Sequence, residues 1–366
     1  MNCADIIKCV HRSIYRINIS MNIFSNCPAA QKSFALYNDD TIRPCCVWRG
    51  PTKNASINDV LDEYNKQKFD IETACKKCIA QEQIGIKSRR NTIVERTKKY
   101  NFFYDLSLSN VCNLACTMCN SLNSSKWVKI EKEVFNEQDV YVSAHQIDHN
   151  RLDEVIEHIN IKSKDSKVAI EIKGGEPLIQ PEVMKLVDRL KNKKNVALFF
   201  VSNLTVLDDW FTGSIKHFNK IKIYASFEGV GDTYNYIRAG ADFTNFEQNL
   251  SILKKLPVEW SFSPLILNYN IGDLFAVKDF MLTHKGSIDE QLLYGPAQLN
   301  ISHLPKKAQK YLNIPDDMVR TKQFLCSQSD EKQWKNFIDY TNKLDSFHKK
   351  DFWQTPTGKI LEKIID

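Results

Sequence analysis

Three cysteines lie close together in the chain, Cys112, Cys116 and Cys119, with the spacing C-x3-C-x2-C. Three thiolates so near in sequence can bind three irons of a four-iron cluster and leave the fourth iron without a protein ligand. That fourth iron is a position where a small molecule can bind. The alternatives are a structural zinc site, which needs a fourth ligand, and chance clustering of cysteines. The motifs downstream favour the cluster because they depend on such a loop.

Three further motifs follow the cysteines, and each stands at the end of an apolar, β-type run. Residues 168–173 lead into Gly174-Gly-Glu-Pro177, residues 196–201 lead into Ser202 and Asn203, and residues 221–225 lead into Ser226 and Glu228. Any one of these motifs alone is a weak signal, since a Gly-Gly-Glu stretch is usually just a turn. All four in one order, each at a strand end, are a strong signal.

This order of motifs resembles that of the radical S-adenosylmethionine (SAM) superfamily. The resemblance implies that Cys112, Cys116 and Cys119 bind a [4Fe-4S] cluster whose open iron is chelated by the amino and carboxylate groups of SAM. It also implies reductive cleavage of SAM, a 5′-deoxyadenosyl radical and abstraction of a hydrogen atom from a substrate. The chemistry then belongs to the cofactor, while the protein supplies position and excludes water.

The resemblance also assigns residues to the SAM site. They are Met118, Gly174, Gly175, Glu176, Ser202, Asn203, Ser226, Glu228 and Arg238. The two glycines let the backbone approach the methionine amino group closely. Met118 takes a place that usually holds an aromatic side chain touching adenine, and its soft side chain can substitute there.

Several of these assignments have a plainer alternative. Ser202 and Asn203 can be ordinary turn residues, as can Asn270, which recurs at a strand end in relatives. Glu228 can be a charge at a helix N-terminus, and Arg238 can belong to a surface ion pair.

The region from residue 102 to residue 296 alternates strands with helices. The predicted strands are 102–108, 167–173, 195–201, 220–226, 258–267 and 290–294, rich in β-branched and aromatic residues. Near-continuous apolar runs of this kind indicate a parallel sheet covered on its outer face. The predicted fold class is α/β, a partial (β/α)6 barrel of the radical SAM type with active residues at the carboxyl ends of the strands.

Two helices and four chain segments complete this prediction. One helix carries the apolar stripe Leu152, Val155, Ile156 and Ile159, and another begins at Pro181. The segments are a cysteine-rich module over 1–90, a linker over 91–101, the barrel over 102–296 and C-terminal helices over 297–366.

A second set of cysteines precedes the barrel: Cys27, Cys45, Cys46, Cys75 and Cys78. Cys75 and Cys78 form a C-x2-C pair, and Cys27 with the Cys45-Cys46 doublet could complete four ligands. Four thiolates suit either a zinc ion or an iron–sulfur cluster, and unmetallated buried thiols are the third possibility.

This segment resembles a twitch module, a shortened SPASM domain that binds one auxiliary [4Fe-4S] cluster. Here the module precedes the barrel, which resembles the N-terminal-twitch radical SAM proteins. The implied ligands are Cys27, Cys45, Cys75 and Cys78. Asp40 departs from the family, which has glycine there, and its spacing favours Cys45 over Cys46. The remaining cysteines are predicted to be structural or incidental thiols: Cys3, Cys9 and Cys326.

Composition agrees with this interpretation. The chain has 366 residues, 43% hydrophobic and 26% charged, with a net charge of +6. Acidic and basic residues are mixed, so no nucleic-acid partner is expected. Neither a transmembrane run of about eighteen apolar residues nor the apolar core of a signal peptide is recognised. Eleven cysteines without a signal peptide predict metal or cluster ligation in a reducing cytoplasmic compartment.

The predicted function is that of a radical SAM enzyme acting on a peptide or protein. Its auxiliary cluster, closed by four cysteines, would serve in electron transfer. The expected partners are the substrate and an electron donor such as flavodoxin or ferredoxin. The first alternative is modification of a sugar, nucleotide or other small polar metabolite. A non-enzymatic iron–sulfur or zinc scaffold is the alternative from a different class.

Overall fold

The computed structural model describes residues 27, 31–48, 55–66, 74–83, 87–137, 145–286 and 290–365. Its strands are β1 (Ser33–Leu36), β2 (Ile42–Arg43), β3 (Phe102–Ser107), β4 (Val168–Lys173), β5 (Val196–Ser202), β6 (Lys220–Ser226), β7 (Glu259–Ser263), β8 (Leu265–Ile266) and β9 (Gln291–Leu292). Seven strands form one sheet in the order β2-β1-β3-β4-β5-β6-β7. Every neighbouring pair is parallel except β1 with β2. A mostly parallel α/β fold is therefore confirmed.

Helices connect the strands and follow the last of them. They are α1 (Ile57–Lys66), α2 (Lys76–Gln83), α3 (Arg89–Thr97), α4 (Trp127–Glu133), α5 (His149–Asp165), α6 (Pro181–Arg189), α7 (Asp209–Ser214), α8 (Asp232–Ile237), α9 (Phe243–Leu253), α10 (Leu274–Thr283), α11 (Val319–Ser327), α12 (Glu331–His348) and α13 (Pro356–Leu361). The predicted apolar stripe is buried on α5, and α6 begins at Pro181, so both helix predictions are confirmed.

Side chains alternate between the two faces of the sheet, as strand geometry requires. On β3, the outward Phe102, Tyr104 and Leu106 belong to the main apolar core together with the stripe of α5. The inward Phe103 belongs instead to a small cluster around Ile93 of α3. The outer face therefore packs against helices, and α3 packs on the inner face.

The last two predicted strands differ from the expectation. The predicted strand 258–267 is divided at Pro264 into β7 and β8, because proline has no backbone N–H to donate to the ladder. The predicted strand 290–294 contains β9, which pairs with β8 and not with the large sheet. The prediction of six consecutive strands in one sheet is therefore wrong in this detail.

The N-terminal cysteine-rich segment shares a sheet with the barrel. β1 pairs in parallel with β3, from Ser33 opposite Phe103 to Leu36 opposite Leu106. Most of the predicted linker lies in α3, whose first turn is closed by a capping box of Ser88 with Asn91. The predicted boundaries of the four segments stay predictions, but the sheet crosses the one at residue 90.

The described residues after 296 form helices, with α12 packed beside the carboxyl ends of the strands. The Tyr340 hydroxyl of α12 donates to the Thr117 carbonyl at 2.7 Å. Cys326 takes part in a disulfide bond, which corrects its interpretation as a thiol. Cys3 and Cys9 lie outside the described residues. No helix of the described part is long and apolar enough to cross a membrane.

Candidate functional site

The three cysteines of the C-x3-C-x2-C motif lie on the loop that follows β3. The Ala115 N–H donates to the Ala239 carbonyl, and the Thr117 N–H donates to the Ile237 carbonyl, each at 2.8 Å. On another side of the loop, the Trp127 indole N–H donates to the Cys116 carbonyl at 2.8 Å. The shape of the loop is therefore determined by hydrogen bonds to two other segments of the chain.

The three thiols lie near enough to influence one another's ionisation. Burial raises the pKa of Cys112, and it raises the pKa of Cys116 to about 12, with the nearby Cys112 adding to the shift. Burial and both neighbouring cysteines also raise the pKa of Cys119. Nearby positive charge is therefore needed to stabilise three thiolates at this site, and a bound metal supplies it.

The ligand geometry differs between a single metal ion and a cluster. Within the described ranges, no group of three or more His, Cys, Asp or Glu side chains could hold one metal ion. A four-iron cluster binds each thiolate at a different iron, so its ligands do not converge on one point. The donor set of three mutually interacting thiols, with Cys112 buried and Cys116 and Cys119 half-buried, fits the cluster.

Both glycines of the Gly174-Gly-Glu-Pro177 segment have left-handed backbone conformations, with φ of +83° at Gly174 and +54° at Gly175. A β-carbon at Gly174 would lie 1.8 Å from Ser107 Oγ, and one at Gly175 would lie 2.2 Å from the Val111 carbonyl oxygen. The glycines are therefore required by close packing of the chain on itself. The expected approach of the methionine amino group stays a prediction.

Glu176 connects the ends of two neighbouring strands. Its carboxylate accepts hydrogen bonds from Ser202 Oγ at 2.8 Å, the Asn203 N–H at 2.7 Å and the Leu178 N–H at 3.1 Å. The side chain is buried, and burial raises its pKa despite these donors. Glu176 and Ser202 thus bind each other, a pairing that the sequence did not indicate.

Arg238 and Glu228 form a buried ion pair beside the cysteine loop. Arg238 Nη2 lies 2.7 Å from Glu228 Oε1, and Arg238 Nε lies 2.5 Å from Glu228 Oε2. Arg238 Nη1 also contacts Cys116 Sγ at 3.8 Å. Arg238 is 6% exposed and Glu228 is 2% exposed, so the alternative of a surface ion pair is wrong. The Asn270 amide donates to the Glu228 carbonyl at 2.7 Å and holds this pair from a third segment.

The remaining predicted SAM-site residues lie around the same edge of the sheet. Asn203 is buried, and its amide donates to Asn113 Oδ1 at 3.0 Å, which links β5 to the cysteine loop. Ser226 is half-buried at the end of β6, opposite Ser263 of β7. Met118 is half-buried and packs against the core that contains the C-terminal helices. The roles of these side chains toward SAM stay predictions.

The four predicted auxiliary ligands line one small cavity: Cys27, Cys45, Cys75 and Cys78. Burial raises the pKa of Cys45, and it raises the pKa of Cys75 to about 11 with Cys27 and Cys78 adding to the shift. Cys46 does not line the cavity and hydrogen-bonds Asp105 instead. The structure therefore places Cys45 with the other three thiols. Four thiols are the donor type that both zinc and an iron–sulfur cluster bind, but as they stand these four do not converge on one metal ion.

Gln180 is a site residue that the sequence analysis missed. The residue is fully buried, and its amide nitrogen lies 2.7 Å from the Gly174 carbonyl, 3.0 Å from the Ser109 carbonyl and 3.2 Å from the Val111 carbonyl. It therefore joins the glycine segment to the cysteine loop. Its place directly before Pro181, at the start of a helix, looks like an ordinary helix boundary in the sequence.

A set of charged residues on the inner face of the sheet was also missed. We call it the inner-face cluster, and its members are Arg89, Arg96, Asp105, Glu171 and Lys173. Asp105 and Glu171 occupy neighbouring register positions on β3 and β4. Inside apolar runs, these charges look like interruptions until the strands are paired.

Comparison with known families shows what the central part of this chain is similar to. Residues 106–281 match the family described as the Radical SAM superfamily. That range begins on β3, contains the three cysteines and the glycine segment, and extends into α10. The matched segment, slightly less than half of the chain, is therefore a radical SAM superfamily domain. The match supports an enzyme, does not identify its substrate, and weighs against the non-enzymatic alternative.

Similar solved structures include two proteins described with bound SAM. Native anSMEcpe with bound AdoMet is 19% identical, with 66% of this chain and 60% of that chain covered and a TM-score of 0.40. SuiB from Streptococcus suis bound to S-adenosylmethionine is 14% identical, with 75% and 60% covered and a TM-score of 0.40. The match thus spans less than two thirds of these proteins' length. Similarity at this level identifies no substrate, and a search of curated protein sequences finds no match.

Proposed function

We propose that this enzyme cleaves SAM reductively at a [4Fe-4S] cluster and abstracts a hydrogen atom from a peptide or protein substrate. The observation that carries the proposal is the direct binding of the glycine segment to the cysteine loop. The Glu176 N–H donates to the Val111 carbonyl, and the Gly175 N–H donates to the Asn123 carbonyl, each at 2.9 Å. Two motifs more than fifty residues apart in the sequence therefore form one surface.

The residues of this surface have separate tasks. Cys112, Cys116 and Cys119 would hold the cluster, which when bound supplies the electron that cleaves SAM to the hydrogen-abstracting radical. The Arg238 guanidinium, 3.8 Å from Cys116 Sγ, offsets negative charge on the thiolate. Gly174 is half-buried, and a side chain there would clash with Ser107.

The polar side chains at the strand ends are oriented by hydrogen bonds within the protein. Glu176 orients the Ser202 hydroxyl and the Asn203 backbone, and Arg238 orients the Glu228 carboxylate. Because these groups are hydrogen-bonded to one another, little of their conformational freedom is left to lose when SAM binds. This preorganisation supports the assignment of these side chains to SAM.

The auxiliary site belongs to the same proposal. Cys27, Cys45, Cys75 and Cys78 would hold a second [4Fe-4S] cluster, which would accept one electron from the substrate radical that hydrogen abstraction leaves, so that the substrate becomes oxidised. A cluster with four cysteine ligands has no open iron, which favours an electron role over substrate binding. A small acidic electron donor such as flavodoxin or ferredoxin would supply the reducing electron in the cytoplasm. A peptide or protein substrate rests on the resemblance to twitch-type enzymes.

The first test measures iron and labile sulfide after anaerobic reconstitution. We expect about eight irons per chain in the parent and about four in the Cys112/Cys116/Cys119→Ala variant. The Cys45→Ala variant should lose the other set of about four, whereas the matched Cys46→Ala variant should keep it, because Cys46 binds Asp105. About four irons in the parent, with zinc in the parent and the triple variant alike, would make the N-terminal site structural and remove its electron role.

The second test measures 5′-deoxyadenosine under reducing conditions. We expect the parent to form it from SAM and the Cys116→Ala variant to form none, while both show the same far-UV circular dichroism. Formation of 5′-deoxyadenosine at the parental rate by the variant would disprove the assignment of the cluster site.

A further inference from the structure

The inner-face cluster carries more positive than negative charge. Arg89 donates to Asp105 at 2.7 Å and to Glu171 at 2.6 Å. Arg96 lies 2.5 Å from Glu171, and Lys173 lies 2.6 Å from Asp105. Three cations therefore share two carboxylates, and the cluster has a surplus of one positive charge.

Lys222 of β6 adds a second positive charge on the same face. It stands opposite Phe199 in the sheet register, and its ammonium lies 4.8 Å from the centre of the Tyr224 ring. The nearest strand neighbour of opposite charge, Glu259, pairs with Lys220 at 2.7 Å. Among the described residues, Lys222 forms no ion pair with a carboxylate. Burial lowers the pKa of Lys222, with Glu259 opposing this shift and Lys220 and Arg96 adding to it.

Tyr224 contacts both the Arg96 guanidinium and the Lys222 ammonium. Arg96 Nη2 donates to the Tyr224 hydroxyl at 3.3 Å, and the guanidinium lies 4.7 Å from each of the rings of Phe103 and Phe199. A phenol that accepts a hydrogen bond still has its own proton to donate. Among the described residues, no acceptor is seen for this proton, so Tyr224 offers a donor next to Lys222.

The surplus positive charge lies on strand residues that come just before the SAM-site motifs in the sequence. Lys173 immediately precedes Gly174, and Tyr224 stands two residues before Ser226. The Lys173 side chain, at the carboxyl end of β4, is 28% exposed, so this cation of the cluster is in contact with solvent. Partly buried positive charge without a counter-charge is unfavourable, and an anion that binds there removes the penalty.

We infer that the inner face of the sheet binds an anionic group of the substrate, a carboxylate or a phosphate, through Lys222, Lys173 and the Tyr224 hydroxyl. The inference rests on the proposed function, because it names the chemical class of substrate for that site. An acidic peptide and a phosphorylated metabolite share this chemistry. The group would be held beside the position where hydrogen abstraction takes place.

The test compares the melting temperature of the reconstituted protein in sodium succinate, sodium phosphate and sodium chloride at one matched ionic strength. A ligand that binds only the native state raises the melting temperature. We expect succinate, phosphate or both to raise it by several degrees over chloride. A response to succinate alone would identify a carboxylate, and a response to phosphate alone would identify a phosphate. An equal melting temperature in all three salts would overturn the inference.

Two variants show whether the effect comes from the inner face. Lys222→Met keeps the apolar stem of the side chain and should weaken anion binding about tenfold or more, because a charge-assisted hydrogen bond is lost. The control is Lys194→Met, in a lysine-lined cavity of about 390 Å³ at the amino ends of the strands. Loss of the anion response in Lys194→Met with its retention in Lys222→Met would overturn the inference.

SAM itself carries a carboxylate, so the comparison of melting temperatures in the three salts is repeated with saturating SAM. Persistence of the anion response supports a separate substrate group, whereas its loss would assign the lysines to SAM and overturn the inference. The 5′-deoxyadenosine assay on the same samples separates the two proposals. SAM cleavage without an anion response refutes only this inference, and absence of SAM cleavage refutes the proposed function.

Discussion

The two faces of the parallel sheet are built from the same strands, yet only the inner face carries a cluster of ion pairs. On the outer face, apolar side chains pack against helices, and the polar pair of Tyr104 and His158 meets at 3.0 Å. On the inner face, Asp105, Glu171 and Lys173 are held by ion pairs. Burial of apolar area on the outer face stabilises the fold. Because of this stabilisation, the inner face can carry charged residues.

The largest expected effect is at the inner edge, where one partner of a buried ion pair is removed. Arg238→Met leaves the Glu228 carboxylate buried without its counter-charge, which is expected to lower the free energy of unfolding by about 3–5 kcal/mol. Denaturant titration of the reconstituted protein measures this change.

The matched control for that prediction is an exposed ion pair on the outer side. Arg189 pairs with Asp153, and both side chains are more than two fifths exposed. Arg189→Met should therefore change the free energy of unfolding by less than about 1 kcal/mol. Equal changes in the two variants would mean that burial does not distinguish the two regions.

The next effect concerns the outer face and depends on pH. Burial lowers the pKa of His158 to about 4 from its ordinary value of 6.5. As pH falls from about 6.5 to 4, the unfolded chain takes up a proton that the folded chain does not, so stability decreases. The expected loss over this range is about 3 kcal/mol, with no contribution from His158 above pH 7.

The comparison that isolates this contribution is between the parent and His158→Gln. Unfolding free energies measured at several pH values should show a weaker acid dependence in the variant. An identical pH profile in both proteins would show that the inner-face carboxylates, not the outer histidine, account for acid sensitivity.

The smallest expected effect comes from two glycines. Gly213 of α7 has open space where a β-carbon would lie, so Gly213→Ala should raise the free energy of unfolding by about 0.5–1 kcal/mol. Gly175→Ala should lower it by more than about 1–2 kcal/mol, because of its positive φ and its contact with Val111. Thermal melting of both variants measures the difference, and stabilisation by Gly175→Ala would contradict the packing described here.

Much of the architecture was predictable because its signals are local. Apolar runs identified β3 to β6 within a residue or two, and Pro181 identified the start of α6. The strand β1 was missed because four residues beside cysteines give a weak pattern, and its partner β3 is distant in the sequence. The division at Pro264 was not predicted because the segment 258–267 has the pattern of one β-type run.

The candidate site was predictable as residue types but not as pairings. The cysteines and the glycines were identified by spacing, whereas the bond between Glu176 and Ser202 and the pair of Arg238 with Glu228 depend on how distant segments meet. Spacing also favoured Cys45 over Cys46, but the reason becomes visible only when Cys46 is seen beside Asp105. Long-range pairing therefore accounts for what the sequence leaves undetermined.

The parallel pairing of β1 with β3 has a mechanical consequence. Leu36 lies opposite Leu106, so the segment leading to Cys45 and the strand leading to Cys112 are tied side by side by sheet hydrogen bonds. Cys45 and Cys112 thus follow strands that are joined within one hydrogen-bonded sheet. An electron that travels between groups held at these two places would cross a gap whose width hardly varies.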